Sequence, residues 1–171
     1  NPPLRPADDT AAVTRGVAHG TVDAIATDHA PHAAADKVGT PDRVAFGISG
    51  FETALAVVLT LSDSGAPNLS RVVQCLTAGP AMVLGRNAPL FGLLPGRPAD
   101  MVLFDAEAQW TVVGADFLSM GKNSAFEGRR LRGRVLATFV DGNCVYSAGG
   151  MASRCAGGAL CIRRPASFAV R

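Results

Sequence analysis

Histidine is scarce in this chain of 171 residues: there are three, His19, His29 and His32, and no two form a His-x-His pair. Long apolar runs are lacking too. None reaches eighteen residues, so no segment reads as a membrane-spanning helix. The opening Asn1-Pro2-Pro3-Leu4-Arg5 has no initiating Met and no apolar stretch of a secretion signal, and reads as a chain whose beginning lies upstream. The four cysteines, Cys75, Cys144, Cys155 and Cys161, form no C-x-x-C pair. That spacing argues against a zinc ribbon or a disulfide framework, and predicts free thiols in a reducing cytoplasm. Acidic residues are absent beyond Ser147, whereas Arg154, Arg163, Arg164 and Arg171 lie there. Of the 16 basic residues, 12 therefore face 14 acids in residues 1–147, and no basic stripe with interleaved aromatics remains for nucleic acid. A small-molecule partner is expected instead.

What is present suits a globular α/β chain: 48% apolar and 18% charged residues, at a length that allows a real core. After Pro6, residues 7–18 are helix formers, with Asp8 and Asp9 at the favourable N-terminal end and Gly20 placed as a stop. Val22–Thr27 reads as a short buried strand of a parallel sheet, ended by Asp28-His29-Ala30-Pro31-His32, where Pro31 forbids further pairing. Residues 33–47 read as a long loop. Ser49 and Glu52 then form an S-x-x-E capping box, with Phe51, Leu55, Val58 and Leu59 on one helical face. Residues 62–68 are loop, 70–76 a short helix, and Thr77-Ala78-Gly79-Pro80 opens another that Gly85 stops. Near residue 90 the character changes. Met101–Phe104 is a compact strand, and Val135–Val140 and Cys144–Tyr146 flank a hairpin turn at Asp141-Gly142-Asn143. No fold is assigned to the tail, whose composition fits either GC-rich DNA read out of frame or a disordered extension.

Chemistry concentrates in Thr27–His32. At the C-terminal end of a barrel strand, a carboxylate can hold a metal and exchange a proton with metal-bound water, and imidazoles one and four residues later can ligate or hydrogen-bond. Two plainer readings stand beside it: an Asx-type turn, and a purely local zinc site from Asp28, His29 and His32. His19 is expected on the surface. Arg129, Arg130, Arg132 and Arg134 are expected to form a solvated face of the small module.

Asn1–Arg5, the helix, and Asp23–His32 together resemble signature segments of dihydroorotase of the bacterial long-chain type, in order and at a compatible distance. Phe46-Gly47-Ile48 with Gly50-Phe51-Glu52-Thr53 is similar to that family's loop into its last barrel helix. Gly96–Phe104, Asn123–Phe126 and the Asp141-Gly142 hairpin resemble its small β-sandwich module. The resemblance covers about residues 1–147. It implies the C-terminal part of a TIM-like (β/α) barrel in residues 1–90, the β-sandwich module in 91–147 and an irregular tail in 148–171. It also implies zinc-dependent interconversion of dihydroorotate and carbamoyl aspartate in pyrimidine biosynthesis. In this reading Asp28 is a metal ligand and proton shuttle, and Asn1, His32, Phe46 and Gly47 contact substrate. His29 matches a signature position without a role at the metal.

The family's binuclear site also needs a His-x-His, a bridging acidic or carboxylated group and further histidines, none of which this chain carries. A complete barrel needs about 250 residues. The isolated chain is therefore expected neither to bind zinc tightly nor to hydrolyse dihydroorotate. Other readings are a non-catalytic dihydroorotase-like subunit that supports aspartate transcarbamoylase, or another cyclic amidohydrolase such as allantoinase. A homo-oligomer is an open partner.

Overall fold

The computed structural model describes residues 4–86, 92–150, 152–154 and 160–162, the last two stretches by their backbone. It divides into two compact units, one of residues 1–91 and 109–132, the other of 92–108 and 133–171.

In the first unit, α1 (Ala7–His19) forms as its sequence predicts. Asp8 and Asp9 sit in the first turn, and Gly20 closes the helix at φ 84°, a left-handed position that glycine adopts without steric cost. His19 is exposed in the last turn, as expected. The predicted strand over Val22–Thr27 is not found. A strand needs a ladder, and the described residues offer this segment only scattered bonds: Ile25 N–H donates to the Cys75 carbonyl at 3.0 Å, and a single parallel bridge joins His29 to Ile48.

Beneath that segment lie α3 (Leu69–Leu76), which Asn68 caps by accepting the Arg71 N–H at 2.9 Å, and α4 (Ala78–Val83). Arg71 also donates to the carbonyls of Val17 (2.8 Å) and Val22, tying the end of α1 and the following turn to α3. The buried Cys75 thiol points at the Val22 carbonyl at 3.7 Å.

α2 (Phe51–Leu59) is the central element, and its sequence misleads twice. The predicted apolar face would bury Phe51, yet Phe51 is 65% exposed and Thr53, Ala56, Val58 and Leu59 are buried. These divide between two clusters. Ala56 packs with Val112, Phe117 and Leu131, while Val58 and Leu59 pack with Val72, Ile25 and Leu76. Burying a side chain such as Leu59 contributes about 1.5–3 kcal/mol. The capping box is absent as well: α2 starts at Gly50 with no side-chain cap of its own. Ser49 Oγ donates to the Gly121 carbonyl, and Glu52 Oε1 accepts the Ser119 N–H at 2.8 Å. A tertiary neighbour has outcompeted the local motif.

The far end of α2 is held by Arg132, which was expected on a solvated face. Its guanidinium donates to Asp63 Oδ1 (2.7 Å) and to the Leu59 carbonyl (3.1 Å), a cation at a helix C-terminus. Arg129, Arg130 and Arg134 are exposed as expected.

In the second unit the predicted hairpin is present. β2 (Arg130–Val140) pairs antiparallel with β3 (Asn143–Ser147) across Asp141 (φ 49°) and Gly142 (φ 71°), the positive φ values of a two-residue hairpin turn. Asp100 Oδ1 accepts the Asp141 N–H at 2.7 Å and buttresses it. β1 (Met101–Thr111), longer than the four residues predicted, lies beside β2 in the sheet order β1-β2-β3. Alternate residues of β2 are buried, among them Ala137 and Phe139. In the tail, where the sequence gives no fold, β4 (Ala152–Arg154) pairs antiparallel with β5 (Leu160–Ile162). Among the described residues no helix is long and apolar enough to cross a membrane.

Candidate active site

Three segments of the first unit converge on the motif: residues 27–32, 45–52 and 119–123. The first two are zipped by the Ala30 N–H to the Ile48 carbonyl (3.0 Å) and by His32 Nε2–H to the Phe46 carbonyl (2.7 Å). The third closes over them through Ser49 N–H to the Asn123 carbonyl (2.9 Å). It approaches so closely at Gly121 that a Cβ there would lie 2.6 Å from Pro31 Cβ.

Asp28 sits at the start of this arrangement with φ 47°, left-handed backbone that a non-glycine residue adopts at a cost of about 1–3 kcal/mol. Its side chain is exposed, and no described residue hydrogen-bonds or pairs with its carboxylate. The turn therefore aims an uncommitted acid outward. Were it a plain Asx turn, that carboxylate would accept a nearby backbone N–H.

His29 has the role that its sequence did not reveal. Its Nδ1 accepts the N–H groups of Gly50 (3.0 Å) and Phe51 (3.3 Å), and its ring stacks on Phe51 at 3.7 Å between centroids and 5° between planes. His29 thus caps α2 from outside, supplying what the Ser49–Glu52 pair does not. As an acceptor, Nδ1 carries no proton, so the ring proton resides on Nε2. With its Nδ1 lone pair on the helix amides and its proton on Nε2, His29 offers no free lone pair to a local zinc site with Asp28 and His32. Among the described residues no three His, Cys, Asp or Glu side chains come together as a metal site. Asp28 fits the part of one metal ligand: a hard, anionic oxygen donor with no internal partner.

Of the residues expected at the substrate, His32, Phe46 and Gly47 are brought into direct contact, and Asn1 lies outside the described residues. Phe46 is 68% exposed while Gly47 is buried at φ 123°. A Cβ on Gly47 would meet Ala30 Cβ at 2.5 Å, the Ala30 carbonyl at 2.8 Å and His32 Nε2 at 3.2 Å.

Glu52 is the titratable group with a clear perturbation here. Burial pushes its carboxyl up, but hydrogen bonds from the Ser119 side chain and backbone outweigh that and hold it below the usual glutamate value. A lowered folded pKa stabilises above the unfolded value and is lost as pH falls through it. Acidification from about pH 5 to about pH 3 is therefore expected to destabilise the wild type more than Glu52→Gln. Urea midpoints at the two pH values check this, and equal slopes would remove Glu52 from the account.

The fold is similar to that of solved hydantoinases. It superposes on the D-hydantoinase (dihydropyrimidinase) from Thermus sp. with a TM-score of 0.74 at 24% identity, covering 86% of this chain and 33% of that one. The L-hydantoinase (dihydropyrimidinase) from Arthrobacter aurescens gives 0.73 at 26% identity, covering 85% and 33%. Residues 2–145 match the Amidohydrolase family, and the chain belongs to it. Its α/β class is that of a piece of the family's barrel with a small antiparallel module. Among curated relatives, it is 49% identical over 149 residues to the dihydroorotase of Anaeromyxobacter dehalogenans (strain 2CP-C), covering 87% of this chain and 34% of that protein. It is 45% identical over 146 residues to the dihydroorotase of Syntrophus aciditrophicus (strain SB), covering 85% and 34%. The chain thus spans about a third of the length of the curated relatives it matches.

Proposed function

We propose that this chain supplies the Asp28 wall of a dihydroorotase, a cytoplasmic enzyme of pyrimidine biosynthesis that interconverts dihydroorotate and carbamoyl aspartate. The observation that carries the reading is the Asp28 turn: a strained, exposed and unpartnered carboxylate inside a segment 49% identical to a dihydroorotase. Zinc, held in part by Asp28, would supply Lewis-acid polarisation and an acidified water. Asp28 would take the proton as the ring amide carbonyl is attacked and return it to the departing nitrogen. With Nε2–H committed to the Phe46 carbonyl, His32 has Nδ1 left to meet substrate. The Phe46–Gly47 backbone would lie against the ring and Asn1 would reach the same ligand. In this reading residues 1–90 are barrel and 91–147 the small module, of which 109–132 pack in one unit with 1–91, and 148–171 are a tail.

The test is a graft. The 149 aligned residues replace the matching third of the Anaeromyxobacter enzyme, and turnover of dihydroorotate is measured beside turnover of hydantoin and allantoin. Hydrolysis of dihydroorotate above the other two is expected. Preference for either of the others would overturn the substrate. A folded, zinc-loaded graft inert on all three would favour a structural subunit that partners aspartate transcarbamoylase. The 171-residue chain by itself is expected to retain less than one zinc per chain after dialysis and to show no turnover, since one carboxylate is a weak site. Stoichiometric zinc by atomic emission would contradict that.

A further inference from the structure

Three consecutive carbonyls, those of Ala45, Phe46 and Gly47, are gripped by two side chains. The half-buried Lys37 ammonium donates to the Ala45 carbonyl at 2.7 Å and to that of Gly47, while His32 Nε2–H takes the Phe46 carbonyl between them at 2.7 Å. Lys37 reaches the strap from a short 3-10 helix, Ala34–Lys37, whose own ends are fixed. Asp36 Oδ2 accepts the Ala33 N–H at 3.1 Å, and the Asp36 carbonyl accepts the Ala45 N–H at 2.9 Å. No carboxylate pairs with Lys37 among the described ion pairs, so its charge is directed at backbone oxygens. Charge-assisted bonds of this kind are stronger than neutral ones, and two from one ammonium fix both flanks of Phe46.

We propose that Lys37 is a positioning residue: its ammonium, on the Ala45 and Gly47 carbonyls, holds the Phe46–Gly47 backbone in the shape that meets the substrate. The substrate half of this rests on the dihydroorotase reading above, whereas the structural half does not. The geometry explains why a lysine stands there. Gly47 at φ 123° has no helix or sheet ladder to keep it in place, and His32 alone grips one carbonyl of the three. An arginine could span the same two oxygens, but a methionine of similar length has no donor to offer them.

Two readouts separate the halves. In the full chain, Lys37→Met is expected to speed hydrogen exchange at the Ala45 and Ser49 amides about tenfold while the Val72 and Cys75 amides of α3 keep their wild-type rates. Lys37→Arg, retaining a donor, is expected to return most of the protection. In the grafted enzyme Lys37→Met should raise KM for dihydroorotate about tenfold with kcat changed by less than about threefold. Unchanged exchange at Ala45 and Ser49, a parallel loss in α3, or an arginine variant no better than methionine would overturn the assignment. If exchange responds locally while the unmutated graft hydrolyses no dihydroorotate, the strap assignment stands and the substrate reading falls.

Discussion

Asp28→Asn in the grafted enzyme is expected to lower kcat for dihydroorotate by about 10³–10⁴-fold with the melting temperature of the metal-free protein unchanged, the scale of losing a positioned acid–base group. The unchanged fold follows from the geometry. Asn is isosteric, tolerates left-handed backbone as well as Asp does at φ 47°, and forfeits no internal hydrogen bond, since the described residues give this carboxylate none. What is lost is the anion that would hold the metal and carry the proton. Weaker zinc retention should accompany the loss, read by metal analysis after gel filtration. Turnover within tenfold of wild type would remove Asp28 from the chemistry and leave its strained turn without a purpose.

Gly47→Ala should have the largest structural effect, about 3 kcal/mol of local destabilisation from strain and broken hydrogen bonds combined. The left-handed φ of 123° strains any residue with a Cβ, and the Cβ would also press on Ala30 and His32 Nε2. To relieve the clash the strap must leave residues 30–32. That movement breaks the Ala30–Ile48 bond and the His32–Phe46 bond together. Gly65→Ala is the control: φ is 87° there but nothing lies within 4 Å, so it isolates the backbone cost from the clash. Its expected loss is about 1 kcal/mol. Chemical denaturation of both variants, with exchange at residues 45–49, checks the pair. Equal losses would mean that the contact with Ala30 is unimportant.

Much of this was legible before any coordinates. α1 with its Gly20 stop, the short helix α3 and the Asp141-Gly142 hairpin depend on neighbours in sequence, where propensity and turn chemistry decide. Asp28, His32, Phe46 and Gly47 were assigned site roles through resemblance alone. Spacing by itself left a turn and a local zinc site as rivals. The misreadings share one cause. Ser49 and Glu52 spell a capping box, but residues 119–123 offer their side chains a partner seventy positions away, and His29 takes over the helix amides. No local pattern announces that an imidazole will cap a helix twenty-one residues on. Arg132 likewise looks like one of four surface arginines until the end of α2 meets it. Val22–Thr27 has the composition of a strand, but a strand exists only through the partner it pairs with.

The contacts of Ser49, Glu52 and Pro31 with residues 119–123 bear on how such proteins can be recombined. A cut near residue 90, where composition shifts, would sever residues 31–52 from the segment that packs on them, leaving Ser49 Oγ and Glu52 Oε1 without their partners. Modules exchanged between relatives would have to move residues 1–91 and 109–132 together, with crossovers inside the strands β1 and β2 rather than in the Gly- and Pro-rich link that first suggests itself.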